Sequence, residues 1–594
     1  MAVNYESMLF KLADSIRGSS SSVDFRTVIT SALVLRWYEL KSKKLIDRDR
    51  YDFTSILHNV IDEIEEEYYP LQGVLKALVL DNHRLRDNKY NVLLEMLERI
   101  GSFVEKEDEI ITLINMLLTE TDIGNDNFLT PKSIKQIMTK LVKLSDNDSV
   151  ADYFMGYGGI GLSLKQANQG YDFSYCGEEI NRNTYLLSRI LMFINGMYNI
   201  DIKNKDAYDL SNVKQNSFDY VLMDAPFSLN KALDHNRVFE YGLPSKVAAD
   251  WGNYQIGLYS LKDTGKAIVT AASGALFRSS DHGIRKAIVN LDMIEAVVLL
   301  PVSLYAETSI QTALIVFNKN KSNQRQKKIM FVDASNEYER LNRRQNTIPD
   351  VGIDKILSCL QEHKEIEGFS TLTDTDFVAD NEYNLNPSVY INAKVIEESL
   401  GKTIQLKEVA EVLPGVQVSK SDFETLRRNP THYYLNIKNI QEEGIVYDDE
   451  ERIRDKKVNW YGKYDIKAGD IILTSKGTTS RAVIVPDDFK ESFISNNLTI
   501  IRVNSSKYDQ YVLKKYLESE IGRLVLENVT TGTTIKVINA SKLETIEVPD
   551  YDLETIQTIG ARIKKNEQTY YQKIREAKED FEAQNQEIMK ELKL

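Results

Sequence analysis

The sequence has few of the residues from which disulfide networks and metal sites are built. Cysteine occurs only as Cys176 and Cys359 in 594 residues, and the six histidines form no pair with metal-ligand spacing. Two cysteines cannot form a disulfide framework or a cysteine-rich zinc site. We therefore expect a cytoplasmic protein whose chemistry does not use a bound metal ion.

Long hydrophobic runs are also missing. No stretch approaches about 18 consecutive apolar residues, so no membrane-spanning helix is expected. The first residues, "MAVNYESMLFKLADSIRG", mix charges of both signs and lack the basic-then-apolar layout of a secretion signal. With 42% hydrophobic and 27% charged residues, the chain resembles an ordinary globular protein in composition. Its length predicts about three to five domains.

An excess of positive charge is missing as well. The net charge of −14 weakens the case for nucleic-acid binding. Net charge sets only the distant field, however, and an acidic protein can carry a basic cleft. Nucleic acid therefore remains a candidate ligand.

Four segments of different pattern follow each other along the chain. Residues 1–120 are poor in glycine and proline and space apolar residues as helices do. Over 121–395, short β-branched runs alternate with helical patterns, which predicts a doubly wound, Rossmann-like α/β domain with a mainly parallel sheet. Residues 396–552 predict a turn-rich α+β domain, and 553–594 predict one long charged helix.

The ends of successive strands in the α/β segment carry glycines and acids. The stretch "ADYFMGYGGIGLSL" leaves a strand through Gly156 and Gly158 and enters a helix. Glu179 follows the next strand, Asp206 the third and Asp224 the fourth. Glycines let a ligand approach the backbone, and an acid about twenty residues later can hold ribose hydroxyls. This order favours an adenosine-containing ligand.

The fourth strand, "FDYVLMDAPFSLN", ends on Asp224, Ala225, Pro226 and Phe227. A strand-to-loop turn is the plain alternative, since Asp forms turns and Pro ends strands. The motif resembles the Asp/Asn/Ser-Pro-Pro-Tyr/Phe motif of DNA amino-methyltransferases. The resemblance implies S-adenosylmethionine as cofactor, Asp224 and Ala225 as acceptors for an exocyclic amine, and Phe227 stacked on a base swung out of the helix.

Further segments resemble the methylation subunit of type I restriction-modification systems over most of residues 1–395. They are "KLADSIRG", "FLTPKSIKQIM", "VFEYGLPSKVAADW", "GALFRSSDHGIRKAI", "VVLLPVSLYAETSIQTALIVFNK" and "EYNLNPSVYI". The resemblance places Thr130, Pro131 and Asp152 at the cofactor and makes adenine N6 the methylated atom. Tyr153, Tyr157 and Ala225 depart from the family pattern, and "TAASGAL" (270–276) lacks the proline usually found before its glycine. We predict that Tyr157 narrows the cofactor pocket.

The C-terminal third resembles half of a type I specificity subunit, with one target recognition domain and one spacer helix. The matching stretches include "GDIILTSKGTTSRAVIV" and "TTGTTIKVINASKLETIEVP". The residues predicted to lie near double-stranded DNA are polar or basic; they are Lys476, Thr478, Thr479, Arg481, Thr533, Thr534 and Lys536. For each of these, an ordinary exposed loop side chain is the alternative.

Taken together, the sequence predicts a site-specific adenine N6-methyltransferase with a fused specificity domain, the modification component of a type I-like restriction or phage-defence system. The alternative is a catalytically degenerate methylase fold that serves as a DNA-binding or sensing subunit. A combined nuclease-methylase is disfavoured because no Asp…Glu-x-Lys nuclease motif precedes the helical region. Cleavage would then need a separate nuclease or translocase subunit.

The last helix carries an apolar seam at three- and four-residue spacing, typical of a coiled coil. Its members are Ile556, Ile559, Ile563, Tyr570, Ile574, Ala577, Phe581, Ile588 and Leu592, with Asn566 and Gln584 as polar interruptions. The seam predicts a homodimer, because one recognition domain reads too few base pairs for useful specificity. A helix folded back onto its own methylase domain is the alternative.

Overall fold

The chain divides into two units, Met1–Pro387 and Ser388–Leu594, and each has its own hydrophobic core. The computed structural model describes residues 4–16, 24–83, 85, 90–121, 129–442, 444–455, 460, 464–477, 481–531 and 536–592. Within these ranges, no helix has the length and apolar character needed to cross a membrane.

Helices form the first part of the first unit, as the apolar spacing predicts. They are α1 (Tyr5–Ile16), α2 (Phe25–Ser42), α3 (Phe53–Glu67), α4 (Asn91–Gly101) and α5 (Glu107–Thr119). Helix α2 begins where the Asp24 carboxylate accepts a hydrogen bond from the Arg26 backbone N–H at 3.0 Å. It is buried along most of its length, so these helices share one core around it.

A nine-stranded sheet follows, in the same compact unit as the helices. Its strands are β1 (Ser149–Asp152), β2 (Ser174–Glu179), β3 (Ile200–Asn204), β4 (Phe218–Met223), β5 (Leu261–Ala272), β6 (Ile294–Val302), β7 (Gln311–Asn318), β8 (Lys328–Asp333) and β11 (Ser370–Asp374), while β9 (Glu339–Arg340) and β10 (Asn346–Thr347) form a separate hairpin. The accompanying helices are α6 (Lys132–Leu141), α7 (Gly159–Ala167), α8 (Arg182–Ile194), α9 (Asp250–Ser260), α10 (His282–Asn290), α11 (Asp350–Glu362), α12 (Thr375–Asp380) and α13 (Pro387–Ser399), the last at the boundary of the units.

The strand order is β11-β8-β6-β7-β5-β4-β1-β2-β3. Strands β3, β2, β1, β4 and β5 are parallel, as are β6 and β8, whereas β7 is antiparallel to both neighbours and β11 is antiparallel to β8. The predicted doubly wound, mainly parallel sheet is confirmed. Because β1 to β5 run the same way, the residues predicted for the site lie at one edge of the sheet.

The second unit combines small sheets with helices. Its strands are β12 (Thr403–Gln405), β13 (Ala410–Pro414), β14 (His432–Leu435), β15 (Ile440–Gln441), β16 (Gly444–Ile445), β17 (Arg452–Ile453), β18 (Ile471–Thr474), β19 (Lys476–Gly477), β20 (Ala482–Ile484), β21 (Ser492–Ile494), β22 (Leu498–Val503), β23 (Thr530–Thr531), β24 (Lys536–Ile538) and β25 (Glu547–Pro549). Its helices are α14 (Leu406–Val409), α15 (Lys420–Leu426), α16 (Gln510–Glu518), α17 (Glu520–Asn528), α18 (Ala540–Leu543) and α19 (Leu553–Glu591). The largest sheet has the order β13-β22-β18-β20.

Helix α19 is anchored to this unit at its first turns. Ile556 is buried in the core of the unit, and Gly560 lies against Asp509, the N-cap of α16. A Cβ at Gly560 would come within 2.2 Å of Asp509 Oδ1, so glycine permits this close approach. Beyond Tyr571 the helix is mostly exposed. The single long helix predicted over 553–594 is therefore present through Glu591.

Candidate active site

The glycine turn after β1 has a backbone shape that other residues adopt with difficulty. Gly156 and Gly158 have φ angles of 54° and 89°. A Cβ at Gly158 would also lie 2.1 Å from Met192 Cε, whereas one at Gly156 would meet no atom within 4 Å. The turn therefore leaves open space beside Gly156, where a ligand can approach the backbone.

Asp152 stabilises this turn through hydrogen bonds inside the protein. Its buried carboxylate accepts hydrogen bonds from the Phe154 backbone N–H and the Tyr175 hydroxyl, both at 3.1 Å. Burial raises the pKa of Asp152 to about 7. With both oxygens bonded inside the protein, this side chain supports the turn rather than the space above it.

The two tyrosines that depart from the family pattern pack into the protein. Tyr157 is 7% exposed and belongs to the core of the helical region, with the Arg26 guanidinium 5.2 Å from its ring centre. Tyr153 is buried and hydrogen-bonded to Ser260 at the end of α9. The position of the Tyr157 ring argues against the predicted narrowing of the cofactor pocket.

Two of the predicted acids lie at the ends of β2 and β3. Glu179 accepts a hydrogen bond from the Asn181 backbone N–H at 2.6 Å and another from the Gly156 backbone, which links it to the glycine turn. Burial raises the pKa of Glu179. Asp206 forms an ion pair with Lys231 at 2.9 Å. Burial raises the pKa of Asp206, but this ion pair outweighs the effect and leaves the pKa below its usual value.

Asp224, at the carboxyl end of β4, is surrounded by hydroxyl donors. Its Oδ1 accepts hydrogen bonds from Thr270 Oγ1 at 2.5 Å and from the Tyr305 hydroxyl at 2.8 Å, and Thr130 donates to the same carboxylate. Burial raises the pKa of Asp224, while the three hydroxyl groups oppose that rise. A carboxylate offers about four acceptor positions. Three donors therefore leave it capacity for one further donor.

Phe227, the aromatic residue of the motif, packs on Tyr305, which also donates to Asp224. Phe227 is half-buried, and its ring packs edge-to-face on Tyr305 with centroids 5.1 Å apart. Ala225 is buried and Pro226 is exposed. The next residue, Ser228, donates its backbone N–H to Asp250 at 2.9 Å, and Asp250 pairs with Arg278 at 3.1 Å. The whole loop is thus held from several sides.

A lysine missed by sequence reasoning lies buried next to the glycine turn. Lys135 is 5% exposed, and its Nζ donates to the Thr119 carbonyl at 2.8 Å. That Nζ lies 3.6 Å from where a Cβ of Gly159 would stand. Burial lowers the pKa of Lys135 to about 8 although the charges of Glu120 and Asp224 oppose this, and no carboxylate in the described part of the chain lies within ion-pair distance of its Nζ. A buried cation without a counter-ion is energetically unfavourable until an anion binds beside it.

These groups fit S-adenosylmethionine. The cofactor combines a sulfonium and an ammonium cation, a carboxylate and a ribose diol. Glu179 bonds to the backbone of Gly156, and Lys135 lies against Gly159 in the same turn. Asp206 and Asp224 follow neighbouring parallel strands, and Thr130 and Pro131 immediately precede helix α6, which carries Lys135. The chemistry of the donor set therefore suits the cofactor implied by the fold.

The predicted DNA contacts of the second unit are only partly described. Lys476 lies on β19, half-buried, and Arg481 is exposed with its guanidinium donating to the Ile440 carbonyl at 3.2 Å. Lys536 begins β24, which pairs with β19. Thr478, Thr479, Thr533 and Thr534 lie outside the described residues.

Comparisons with known proteins agree with this picture of the two units. Residues 112–399 match the N-6 DNA methylase family, and residues 399–577 match the type I restriction modification DNA specificity domain. The MjaVIII methylase subunit of Methanocaldococcus jannaschii, a type I restriction enzyme component, is 29% identical over 65% of this chain and 71% of its own length. The MjaIX methylase subunit of the same organism is 25% identical over 69% of this chain and 88% of its own.

Among solved structures, the methyltransferase subunit of a type I restriction-modification system from Streptococcus thermophilus has a similar fold. It superposes with a TM-score of 0.53 at 23% identity, over 64% of this chain and 98% of that one. The type IIG restriction endonuclease BpuSI shares the fold with a TM-score of 0.52 at 12% identity, over 95% of this chain and 75% of that one. Residues 112–399 therefore belong to the N-6 DNA methylase family, a type I DNA specificity domain follows them in the same chain, and the relatives that match the chain are methylase subunits of type I restriction enzymes.

Proposed function

We propose that this protein methylates the N6 atom of adenine within a specific double-stranded DNA sequence and that its altered motifs permit catalysis. The observation that carries the proposal is the set of three hydroxyl donors around Asp224, with Phe227 supported by Tyr305. This is a preorganised acceptor next to an aromatic surface, as the reaction requires. S-adenosylmethionine, when bound, supplies an activated methyl group.

The amine of adenine is a weak nucleophile because its lone pair is delocalised into the ring. Asp224 and the Ala225 carbonyl accept its two hydrogens and draw the nitrogen towards tetrahedral geometry. With S-adenosylmethionine bound, this lone pair would accept the activated methyl group, with the thioether as leaving group, and the amine would then lose one proton. Methylation makes the nitrogen cationic and acidic, so that proton passes to solvent, and Asp224 acts as a hydrogen-bond acceptor for which asparagine can substitute. Phe227 stacks on the extruded base.

Different residues around the glycine turn bind different parts of the cofactor. Glu179 and Asp206 hold the ribose and the adenine side, while Gly156 and Gly158 let the methionine portion approach the backbone. Lys135 supplies the counter-charge for the carboxylate. Asp152 acts on the cofactor indirectly, by fixing the turn.

The second unit selects the DNA sequence, and Lys476 and Arg481 are the described residues that we assign to DNA contacts. Thr478, Thr479, Thr533, Thr534 and Lys536 complete the assignment made from the sequence. Their role is to neutralise phosphates and contact the grooves. A separate nuclease or translocase subunit would carry out cleavage.

We further propose that the protein acts as a homodimer through α19. The exposed fractions of its seam residues support this, at 58% for Tyr570, 65% for Phe581, 51% for Ile588 and 62% for Leu592. Apolar side chains at this spacing are normally covered by a second helix. Two-fold pairing would make the target a split palindrome. At about 1.5 Å per residue, the 39-residue helix spans about 60 Å, enough to separate two half-sites.

The rival function is a degenerate methylase fold that binds DNA without modifying it. Tyr153, Tyr157 and Ala225 are the departures that favour it. The burial of both tyrosines away from the space beside Gly156 weakens this case, because neither ring occupies that space. Ala225 retains the backbone carbonyl that the reaction uses.

Substitution of Asp224 tests the proposal directly. Asp224→Ala removes the acceptor and should abolish DNA methylation, whereas binding of S-adenosylmethionine in calorimetry should remain within about threefold. Asp224→Asn is the matched control, because asparagine keeps an acceptor oxygen and is the residue usual in the family; it should retain activity. Methylation-sensitive sequencing of DNA from cells that express each variant gives the readout and also reveals the target sequence. Undiminished methylation by Asp224→Ala would refute the assigned chemistry.

A further inference from the structure

The β9–β10 hairpin presents three arginines to solvent. Arg340, Arg343 and Arg344 are all exposed, and in the parts of the chain that the structure describes none of them forms an ion pair with a carboxylate. The nearest acid in sequence is Glu339, which is also exposed. The six residues 339–344 therefore carry a local excess of positive charge in a chain whose net charge is −14.

The hairpin has a defined backbone. Asn346 pairs with Arg340, and Leu341 donates its backbone N–H to the Gln345 carbonyl at 3.0 Å. The Asn342 side chain accepts hydrogen bonds from the backbone N–H groups of Arg344 and Gln345 at 2.9 and 3.0 Å. The turn thus holds the three arginines together on one short projection.

This projection is attached to the loop that supports the catalytic motif. Asn346 donates its backbone N–H to the Ser303 carbonyl at 2.8 Å, and Gln345 Nε2 donates to the Leu304 carbonyl at 2.9 Å. Tyr305 follows directly and donates to Asp224. The hairpin also follows β8, whose carboxyl end lies at the same edge of the sheet as Asp224. Hydrogen bonds from Gln345 and Asn346 to residues 302–304 therefore join the hairpin to the loop that carries Tyr305.

We propose that the β9–β10 hairpin is a DNA-backbone contact of the methylase unit, in which Arg340, Arg343 and Arg344 bind phosphates flanking the adenine that leaves the helix. Exposed guanidinium groups without a carboxylate partner bind phosphate well, because phosphate accepts their fork of donors. Moving a base out of the stack costs unstacking and unpairing free energy, which contacts to the flanking phosphates can offset. The inference rests on the proposed function and adds a DNA contact to those of the specificity domain.

The salt dependence of DNA binding tests this proposal. Each phosphate contact contributes about one unit to the slope of log K against log salt concentration. The variant R340Q/R343Q/R344Q should therefore lose about two to three units of slope relative to the unmodified protein. The probes are two fluorescein-labelled duplexes of equal length, one containing the sequence found to be methylated and one of scrambled sequence. The preference between them should not change, because phosphate contacts carry no sequence information.

Two further variants make the result specific. R340K/R343K/R344K keeps the charge and should restore most of the slope. K11Q/K44Q/R99Q removes the same charge from exposed positions on the helical region and should leave the slope unchanged. A normal slope for R340Q/R343Q/R344Q would overturn the inference while leaving the proposed function intact. Failure of the unmodified protein to bind either duplex would overturn both.

Discussion

At the scale of single residues, the site brings together side chains that lie far apart in the chain. Thr270 and Tyr305 are 46 and 81 residues from Asp224, yet both donate to its carboxylate. The position of Asp224 could be predicted, because an apolar strand ends there. The donors could not, since their meeting depends on β5 being beside β4 and on a loop after β6. The same reason hid Lys231, the ion-pair partner of Asp206.

Lys135 gives a residue-scale prediction about the cofactor. Its buried ammonium group lacks a carboxylate partner among the described residues, so the carboxylate of S-adenosylmethionine should relieve an unfavourable charge. Lys135→Met should weaken binding of S-adenosylmethionine by about tenfold or more, the effect of losing one charged hydrogen bond. Binding of 5′-methylthioadenosine, which has no carboxylate, should change little. Isothermal titration calorimetry measures both affinities.

Lys132→Met, on the exposed side of the same helix, is the matched control and should bind both ligands normally. Equal losses for the two ligands in Lys135→Met would mean that the lysine supports packing, not the carboxylate. If the unmodified protein bound neither ligand, the degenerate alternative would replace the enzyme.

At the scale of elements, most strands could be predicted from the sequence. The antiparallel direction of β7 could also have been predicted, from the length of the loop before it. Strands β4 to β8 coincide with apolar runs of the sequence that contain β-branched residues, as expected of buried strands. Only a short loop separates the end of β6 at Val302 from the start of β7 at Gln311. A parallel crossover needs a dozen or more residues, so this loop already implied an antiparallel pair. The packing of Tyr157 into the helical core could not be predicted in this way, because it depends on contacts between distant parts of the chain.

Asp152, which stabilises the glycine turn, gives a prediction at the scale of elements. Burial raises the pKa of Asp152 to about 7, so between about pH 4 and 7 the folded protein holds a proton that the unfolded chain has lost. The free energy of unfolding should therefore fall as pH rises through this window, by at most about 1.4 kcal/mol per pH unit from this group. Asp152→Asn cannot titrate and should lack this contribution. The thermal midpoint of the variant minus that of the unmodified protein should therefore increase from pH 5 to pH 7.

Asp219 on β4 provides a control of opposite sign. Burial raises its pKa, but the Lys262 ion pair at 2.8 Å and the Ser149 hydrogen bonds outweigh this and hold the pKa below its usual value. The stability that its charge contributes is present above the ordinary pKa of an aspartate. Asp219→Asn should thus lower the midpoint by a constant amount between pH 5 and 7. A pH-independent offset for Asp152→Asn as well would show that Asp152 is ionised in the folded protein.

At the scale of the whole molecule, the exposed apolar seam of α19 beyond Tyr571 determines whether two copies of the chain pair. Its first turns belong to the second unit, where Glu567 pairs with Lys514 and the Tyr571 hydroxyl donates to the Glu442 carbonyl, both at 2.9 Å. A deletion from residue 566 would remove these contacts along with the seam. Substitutions farther along the helix therefore test pairing more cleanly than truncation.

Phe581→Lys with Ile588→Lys places two charges on the seam, and we expect it to convert a dimer into a monomer. Like charges facing each other across a helix pair oppose association, and the buried apolar contacts that drive it are lost. Ala583→Lys with Gln586→Lys adds the same charges on the outer face of the helix and should leave the dimer intact. Light scattering with and without the target duplex gives the mass of each variant. A monomeric unmodified protein in both conditions would contradict the paired arrangement, and a dimer that survives the seam substitutions would place the interface elsewhere.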